Sequence, residues 1–532
     1  MFFPSKSCSI TKPSINMELS AATLLPVALA SLAILVSVLR RSKSASSSDK
    51  RRPPGPPCLP FIGSLLHLVT SKAPVVLRDL ARKYGPVMYL RLGRVDHVVI
   101  SSPAAAQEVL RDNNLNFSSR PNLLVTETIC YGGLDIAFAP YGAYWRTLRK
   151  LCTMELLSAR KVRQFAHIRD TETLSMIQNV RAASTSGKPV HLASLLLACA
   201  NSITAKAAFG EVCDAELREQ FLTAMEVGVS AGGGFCVGDL FPSLWFVDVI
   251  TGLKGGLWKA RRQIDAVFDT IIAECEARRE KKKTSTTATA EEDDILSVIL
   301  QIKDEGEIKF PVGNTNVKAI ILDLFIGGTE TTATSVEWIM SELMRNPDVM
   351  QKVQAEVRRT FDNKKPQDHE AHIEELHYMK MIIKETLRMH PPLPLMIPHE
   401  CRQTCDIGGF KVLEGSRILI NAWAIGRNPD SWEDAEVFRP ERFEDSNLDY
   451  KGTQYEYLPF GSGRRMCPGS NFGLAALDLI LARLLYYFNW SLLGGMRPDE
   501  LDTEMIAGAT AKKKNPLNLV ATPYNVPMET QS

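Results

Sequence analysis

One short loop near the C-terminal end constrains this chain more than any other feature of its sequence. Residues 460–469 read Phe-Gly-Ser-Gly-Arg-Arg-Met-Cys-Pro-Gly, and a long apolar run follows from Phe472 to Phe488. Glycine has no Cβ, so such a loop can turn sharply and let its backbone lie against a flat ligand. A thiolate just before a helix is favoured by the free backbone N–H groups and the helix dipole. Cys467 is therefore a candidate metal ligand; the alternative is a free cysteine in an ordinary glycine-rich turn.

The whole ten-residue string resembles the haem-binding signature of the cytochrome P450 family, with Phe460, Gly463, Arg465, Cys467 and Gly469 in place. The resemblance implies that Cys467 is the axial thiolate ligand of haem b (iron protoporphyrin IX). It places the loop residues Phe460, Gly463 and Arg465 in the cofactor-binding site. It also implies a mainly α-helical fold with small β-sheets, and insertion of one oxygen atom from O2 into a C–H bond.

A long helix is predicted from about Asn316 to Met344, with residues 327–332, Gly-Gly-Thr-Glu-Thr-Thr, at its middle. Two glycines inside a helix cost roughly 1 kcal/mol each against alanine, which suggests a functional reason. Space for a flat cofactor and a small ligand is one reason, and a local widening stabilised by the Thr331 hydroxyl is another. In the resembled family an acid–alcohol pair here relays protons during catalysis, and Glu330 and Thr331 are its counterparts. Without the cysteine loop, a glycine-weakened core helix with Glu330 exposed would be the simpler interpretation.

A strongly basic helix is predicted to open at Trp145. Trp145 and Arg149 are four residues apart and share one helical face. In the resembled family a Trp-x-x-x-Arg pair binds a haem propionate, for which an arginine fork is suited. The alternative is an arginine-rich helix that faces solvent. One departure from the family pattern is His399, where related plant sequences carry an arginine to a propionate; the contact is expected to be weaker or pH-dependent.

Glu385 and Arg388 lie three residues apart, a spacing that by itself is typical of a surface ion pair of little value. Because His390-Pro391-Pro392 follows, the stretch resembles the Glu-x-x-Arg helix of the family. There the pair joins a second arginine, which is Arg442 in this sequence. The implied role is a structural network that supports the fold around the cysteine loop.

The N-terminal region divides by composition into an extension (1–20), an uncharged apolar run (21–39) and a basic, serine-rich tether that ends in a proline-rich hinge (40–58). An apolar run of this length is close to the roughly 20 residues that span a bilayer as a helix. The cations that follow it hold that side in the cytosol. We therefore expect a single-pass anchor in the endoplasmic reticulum membrane and a cytosolic catalytic body over 59–532. A cleaved signal peptide is the alternative, and Met17 is a second plausible start.

Composition narrows the remaining classes. The length of 532 residues alone suggests two or three domains, yet motifs spread over the chain serve one cofactor, so one large body is expected. A net charge of +2 gives no sign of a nucleic-acid partner. The 11 cysteines lack the spacing of a disulfide framework and are expected to be free thiols. No flavin fingerprint is visible, so the resemblance implies a separate electron donor, the FAD/FMN-containing NADPH–cytochrome P450 reductase.

Local patterns predict a few elements outside the motifs. Val87–Leu92 and His97–Ser101 alternate as strands do, around a Gly93-Arg94 turn. Ser102 and Pro103 then predict the start of a helix that runs through Leu110. The charged segment Arg278–Asp294 is predicted to be a solvated loop.

The segments expected to line the substrate pocket carry little charge, apart from Asp323. The candidate lining residues are Phe325, Gly328, Leu393, Met396, Ile506 and Ala507. An unpaired charge is expensive to desolvate, so a small apolar substrate is expected. The amino-acid sequences of residues 315–320 and 443–445 resemble those of grass oxidases that act on pimaradiene-type diterpenes. This resemblance implies stepwise oxidation of a labdane-related diterpene in defence metabolism. The alternatives are a phenolic or flavonoid hydroxylase, a haem–thiolate enzyme that rearranges its substrate without O2, and a haem-binding sensor.

Overall fold

The computed structural model describes residues 51–68, 72–210, 236–284, 294–306, 313–508 and 510–524. The chain divides into a large unit, Arg51–Cys58 with Ile62–Ser532, and a small unit, Met1–Lys50 with Leu59–Phe61. The predicted extension (1–20), the apolar run (21–39) and the tether up to Lys50 lie outside the described residues. Of the small unit only Leu59–Phe61 are described.

Helices dominate the described part of the large unit, as the sequence predicts. The α-helices span Ala73–Tyr84, Pro103–Gln107, Leu124–Thr128, Ala143–Leu151, Ala159–Gln164, Ala166–Thr185, Leu192–Phe209, Val237–Leu240, Phe246–Ile250, Leu253–Thr284, Ile295–Glu305, Asn314–Arg345, Pro347–Phe361, His377–Met389, Ala422–Ile425 and Ser470–Tyr487. Glu108–Asp112 and Cys152–Leu156 are π-helical turns that continue a preceding α-helix. The 3-10 turns are Leu65–Leu68, Pro242–Leu244, Pro366–Glu375, Pro440–Phe443, Gly463–Arg465, Leu493–Gly495 and Pro498–Glu500.

The described strands form small sheets. The largest has the order Val87–Leu92, Val95–Ile100, Arg417–Ile420, His399–Glu400, with only the middle pair parallel. A three-stranded sheet joins Val190–His191, Asn518–Pro523 and Phe488–Leu492. Two hairpins complete the set, Cys405–Ile407 with Phe410–Val412 and Met505–Ala507 with Ala511–Lys513.

The predicted first hairpin and the helix after it are present with small shifts. The second strand begins at Val95, two residues earlier than predicted, because Gly93 alone supplies the left-handed backbone of the turn, with φ of 61°. The Ser102 hydroxyl accepts a hydrogen bond from the Ala105 N–H at 3.4 Å, as an N-cap does. The α-helix ends at Gln107 and continues as a π-helical turn to Asp112.

The helix Asn314–Arg345, hereafter the central helix, organises the core. It packs against Leu192–Phe209, Ser470–Tyr487 and His377–Met389. Its second half is buried nearly all round, which is typical of a helix in the middle of a large protein. Among the described helices, only Leu192–Phe209 is long and apolar enough to cross a membrane; because it is mostly buried against the central helix, we interpret it as a core helix.

The predicted loop Arg278–Asp294 is wrong for its first seven residues. The helix Leu253–Thr284 includes Arg278, and Asp294 caps the next helix by accepting a hydrogen bond from the Ser297 N–H at 2.7 Å. Arg278 and Asp294 also form an ion pair with each other. Charged residues with good helix propensity continued the helix here where a solvated loop was expected.

The proline-rich hinge is part of the large unit. The Pro54 carbonyl accepts a hydrogen bond from the Tyr89 N–H at 2.8 Å, and Arg52 pairs with Asp96 at 2.8 Å. Val87–Leu92 is an edge strand, and proline, which lacks an N–H, is tolerated at such an edge because its carbonyl can still accept. The packed body therefore begins at about Arg51 in place of Leu59.

Candidate active site

The cysteine loop is closed by its own backbone. The Cys467 N–H donates to the Phe460 carbonyl at 2.9 Å, and the helix Ser470–Tyr487 starts three residues after the cysteine. Gly463 has a φ of 67°, and a Cβ there would lie 2.3 Å from the Leu110 carbonyl oxygen. No other residue type fits this position without moving the backbone. The Phe460 ring packs edge-on against Tyr450, with centroids 5.6 Å apart.

Opposing effects act on the pKa of the Cys467 thiol. Burial raises the pKa of the Cys467 thiol, whereas the Gly469 backbone N–H and the positive charge of Arg149 lower it. Burial in turn lowers the pKa of Arg149, and its largest opposing influence is Cys467. The Trp-x-x-x-Arg helix and the cysteine loop are therefore neighbours, as the sequence predicts.

A third arginine, Arg120, lies near Arg465, and sequence reasoning missed it. Arg120 is 8% exposed, and its guanidinium donates to the carbonyls of Ile397 at 2.6 Å and Pro398 at 2.9 Å. Burial and the nearby charge of Arg465 hold its pKa well below the usual value. A lone arginine in an aperiodic segment carries no local signal, so only the fold reveals it.

These arginines fit an anionic cofactor. In the described part of the chain, none of Arg120, Arg149 and Arg465 has a carboxylate within ion-pair distance. Arg465 instead donates to the carbonyls of Ser118 at 2.7 Å and Ile136 at 3.1 Å, and burial lowers its pKa to about 10. Buried or half-buried cations without a directly paired carboxylate are costly. Haem b carries two propionates, so the residues present fit the predicted cofactor.

Trp145 is buried beside Arg465, whose guanidinium lies 4.3 Å from the centroid of the indole ring. The single indole N–H of Trp145 donates to the Ile136 carbonyl at 3.0 Å. In this conformation the N–H is therefore not free for a propionate. Trp145 acts here as a platform that orients Arg465. Among the described residues, the Arg149 guanidinium has no hydrogen-bond or ion-pair partner, so Arg149 is the member of the pair that is available to a propionate.

His399 is buried and neutral. Its Nδ1 lies 2.7 Å from the Phe117 carbonyl oxygen and donates to it, which assigns the ring proton to Nδ1. Burial, reinforced by the Arg120 charge, holds the pKa of His399 well below its usual value. Arg120, not His399, brings a positive charge to this side of the site.

The central helix remains α-helical from Asn314 to Arg345, so the predicted widening is not seen as a change of helix type. The Thr331 hydroxyl donates to the Gly327 carbonyl at 2.6 Å. Glu330 is paired with Lys512, a contact that sequence reasoning did not predict. A Cβ on Gly327 would meet nothing within 4 Å, whereas one on Gly328 would lie 2.9 Å from the Thr204 hydroxyl and 3.5 Å from Phe472.

The open side of the glycine pair is thus at Gly327, and Gly328 allows close packing. Gly328 was predicted to line the substrate pocket, and in its Cβ direction it packs closely against Thr204. The contact with Phe472 brings the central helix against the helix that follows Cys467. The two motifs predicted to share one cofactor are therefore adjacent in the fold.

Among the other candidate lining residues, one lies in the core and the rest whose side chains are described are at least partly exposed. Phe325 is buried and stacks on Phe209, with centroids 6.1 Å apart, so it belongs to the core between two helices. Leu393 and Met396 are partly buried, and Met396 has a left-handed φ of 53°. Ile506 is 45% exposed on the hairpin strand that also contains Ala507. The Ala511 N–H donates to the Pro392 carbonyl at 2.9 Å, which joins this hairpin to the 391–397 segment.

Asp323, the one charge in the predicted pocket, has a structural explanation. Its Oδ2 accepts hydrogen bonds from the N–H groups of Ile136 at 2.6 Å and Ala137 at 3.0 Å. Burial and the nearby Asp135 hold the pKa of Asp323 well above its usual value. Asp323 therefore anchors the loop at Ile136 and Ala137 to the central helix. The carbonyls of the same loop accept hydrogen bonds from Arg120 and Arg465.

The Glu385 network lies apart from this cluster and is fully buried at its centre. Arg388 makes two hydrogen bonds to Glu385, at 2.7 and 2.8 Å, and Arg442 donates to the same carboxylate at 2.9 Å. Arg388 also donates to the carbonyls of Gly426 and Ala435. The contact between Arg442 and Glu385 is the one expected from the sequence. It ties the helix His377–Met389 to the segment that leads towards the cysteine loop.

Comparison with known proteins shows which protein family this chain matches. The family model described as "Cytochrome P450" matches residues 53–519. The chain is 58% identical to "Cytochrome P450 99A2" of Oryza sativa subsp. japonica, with 99% of each chain covered. It is 59% identical to "9-beta-pimara-7,15-diene oxidase" of the same organism over 96% of this chain and 99% of the relative.

More distant proteins have similar sequences or the same fold. The chain is 45% identical to "Premnaspirodiene oxygenase" of Hyoscyamus muticus over 92% of its length and 96% of the relative. A zebrafish cytochrome P450 solved with progesterone superposes with a TM-score of 0.71 at 23% identity, covering 85% of this chain and 99% of that one. At that identity the likeness shows the fold alone.

Proposed function

The chain belongs to the cytochrome P450 family and is a haem-b-dependent monooxygenase, and on that premise we propose that it oxidises a pimaradiene-type diterpene in plant defence metabolism. The observation that carries the substrate class is the 59% identity to 9-beta-pimara-7,15-diene oxidase over 96% of this chain. Stepwise oxidation of a methyl group or ring carbon is the proposed reaction.

Cys467 is the proposed axial ligand, and Arg120, Arg149 and Arg465 are the proposed propionate ligands. The support is their position around the cysteine loop without carboxylate partners in the described part of the chain. When bound, haem supplies the redox chemistry of O2 activation, for which a thiolate ligand favours O–O cleavage. The protein groups hold the cofactor, exclude water and deliver protons.

Glu330 and Thr331 are the proposed proton path. Formation of one alcohol from a C–H bond and O2 consumes two electrons and two protons and releases one water. The Thr331 hydroxyl, which donates to the Gly327 carbonyl, lies beside the open side of the glycine pair. Glu330 is an ionisable group next to it that can exchange protons with solvent through its partly exposed partner Lys512.

The electrons come from a separate redox partner, and NADPH–cytochrome P450 reductase is the proposed one. Arg146 and Lys150 are exposed on the helix that bears Arg149, and Arg464 is exposed in the cysteine loop. A positive surface near the haem ligand suits docking of an acidic flavoprotein domain and speeds its association.

Anchoring in the endoplasmic reticulum membrane, with the catalytic body in the cytosol, is proposed from residues 21–39. A second feature supports membrane contact: Leu244, Trp245, Phe246, Val249 and Ile250 are all exposed within one short stretch. Contiguous exposed apolar residues of this kind mark sites that contact membranes or other proteins. Trp is also favoured at membrane–water interfaces.

Co-expression with a reductase and a pimaradiene-forming cyclase tests the substrate class. We expect oxygenated diterpenes by mass spectrometry, and none from a Cys467→Ala variant expressed at the same level. Flavonoids and other phenolics are offered in parallel. Turnover of a phenolic with no turnover of the diterpene olefin would replace the proposal with the alternative class.

A further inference from the structure

Glu330 is held by a lysine from a distant part of the chain. The Lys512 Nζ pairs with Glu330 Oε1, and the two side chains are 54% and 13% exposed. Lys512 stands on the strand Ala511–Lys513, and its cross-strand neighbour in the hairpin is Ile506. The hairpin Met505–Lys513 therefore carries both a candidate substrate-lining residue and the counter-ion of the proposed proton donor.

The two lysines that follow Lys512 are engaged elsewhere. Lys513 is buried and donates to the Ser341 hydroxyl at 3.1 Å, and Lys514 pairs with Glu504 at 2.7 Å. Lys512 is thus the lysine of this run that reaches the acid–alcohol pair. Glu337 on the central helix is a second acid close to it, but its Oε1 accepts a hydrogen bond from the Leu517 N–H at 2.8 Å.

An ion pair of this exposure is weak and readily broken. While it is formed, the lysine holds the carboxylate in a fixed position. When it opens, the carboxylate is free to take a proton from water and pass it to the Thr331 side. Because Lys512 and Ile506 are cross-strand neighbours, a ligand that displaced Ile506 would also move Lys512 relative to Glu330.

We propose that Lys512 is a positioning residue that, through its ion pair with Glu330, links proton delivery to the position of the Met505–Lys513 hairpin. The inference rests on the proposed function of Glu330 and Thr331 and adds to it a control by the substrate-facing hairpin. Its consequence is measurable as coupling, the fraction of NADPH that ends in product. NADPH that does not end in product reduces O2 to peroxide by two electrons and two protons.

The test uses Lys512→Met, Lys512→Arg and Lys514→Met in the full-length enzyme with reductase and 9β-pimara-7,15-diene as the probe. Lys514→Met is the matched control, because it removes an equally exposed lysine and its ion pair directly after the hairpin. We expect Lys512→Met to change product per NADPH by roughly two- to fivefold, the factor that a half-exposed ion pair is worth. Lys512→Arg should restore the wild-type value, and Lys514→Met should keep it.

Two further readouts separate positioning from a general structural effect. The solvent deuterium isotope effect on product formation should change in Lys512→Met and not in Lys514→Met. In a Glu330→Gln background, Lys512→Met should have no additional effect on coupling. A solvent isotope effect in Lys512→Met equal to that of the wild type would overturn the inference. Additive effects on coupling in the double variant would also overturn it. If Glu330→Gln alone leaves coupling unchanged, the proton path itself is wrong; if Glu330→Gln responds and Lys512→Met does not, only the inference fails.

Discussion

Gly463 shows how a single residue can be dictated by two independent constraints. Its φ of 67° lies in the left-handed region, and the Leu110 carbonyl occupies the place of a Cβ at 2.3 Å. A side chain at a left-handed position costs roughly 1–2 kcal/mol by itself. The clash adds to this cost, because the atom that blocks the site is backbone and cannot rotate away.

We therefore expect Gly463→Ala to lower the thermal stability of the haem-loaded protein and to reduce haem retention. Gly409→Ala is the matched control: Gly409 has a φ of 79°, but a Cβ there would meet nothing within 4 Å. The two variants share the backbone strain and differ in the clash. Equal losses of stability and equal haem content would show that the Leu110 contact does not matter.

Thr331 offers a second test at this scale. Thr331→Val removes the hydroxyl and its bond to the Gly327 carbonyl while keeping the shape of the side chain. Product per NADPH should fall by about tenfold or more, since a positioned proton-transfer group contributes roughly a hundredfold or more. NADPH oxidation should continue, with peroxide as the main product.

Thr329→Val is the control for that variant. The Thr329 hydroxyl is buried and finds no hydrogen-bond partner in the ranges that the structure covers, so its removal should leave coupling unchanged. If both valine variants behave like the wild type, Thr331 has no part in the proton path.

At the scale of elements, the Glu385 network connects the helix His377–Met389 to the segment before the cysteine loop. Glu385 and Arg388 are fully buried, and Arg442 is 6% exposed, so each charge depends on the others for neutralisation. Loss of one partner from a buried network typically costs about 3–5 kcal/mol. Arg442→Met should cost this much in unfolding free energy and reduce the yield of haem-loaded protein.

Arg439→Met provides the comparison for Arg442. The Arg439 side chain is 38% exposed and pairs with Glu433 and Asp434, and only its backbone N–H reaches Glu385. A surface pair is worth at most about 1 kcal/mol. Chemical denaturation of both variants measures the difference, and equal costs would contradict the assignment of Glu385 and Arg442 as a buried pair.

Sequence reasoning at this scale succeeded where the information is local. The cysteine loop, the Trp145 helix and the Glu385 helix were placed because their residues are close in sequence and resemble a family pattern. Arg120 and Lys512 were missed because their partners lie far away in the chain, in Ile397 and Glu330. The direction of Gly328 towards Thr204 likewise depends on helix packing, which no local pattern records.

At the scale of the whole molecule, the described residues from Arg51 onward, apart from Leu59–Phe61, belong to one large packed unit, and the proposed membrane anchor precedes it in sequence. Removing residues 1–50, and no more, keeps the Arg52–Asp96 pair and the contact of Pro54 with Tyr89. We expect this truncation to release only part of the protein from membranes, because the exposed apolar stretch around Trp245 remains.

Adding Trp245→Ser and Ile250→Ser to the truncation should release the rest, as measured by sedimentation of membrane fractions. Val437→Ser, which removes another exposed apolar side chain far away in the sequence, serves as the control. The sequence contains two glycosylation sequons, Asn116-Phe117-Ser118 and Asn489-Trp490-Ser491, and a cytosolic body leaves both without glycans. Glycosylation at either asparagine, or complete release by the truncation alone, would contradict this account of the membrane contacts.

The central claim is that Cys467 holds the haem iron as a thiolate. The most direct measurement is the absorption spectrum of the ferrous carbon-monoxide complex of purified protein. We predict the red-shifted band that is typical of thiolate ligation for the wild type and for Cys58→Ser, which removes an exposed cysteine elsewhere. Cys467→Ser should lose that band at equal protein concentration. A band that persists unchanged in Cys467→Ser would contradict the claim.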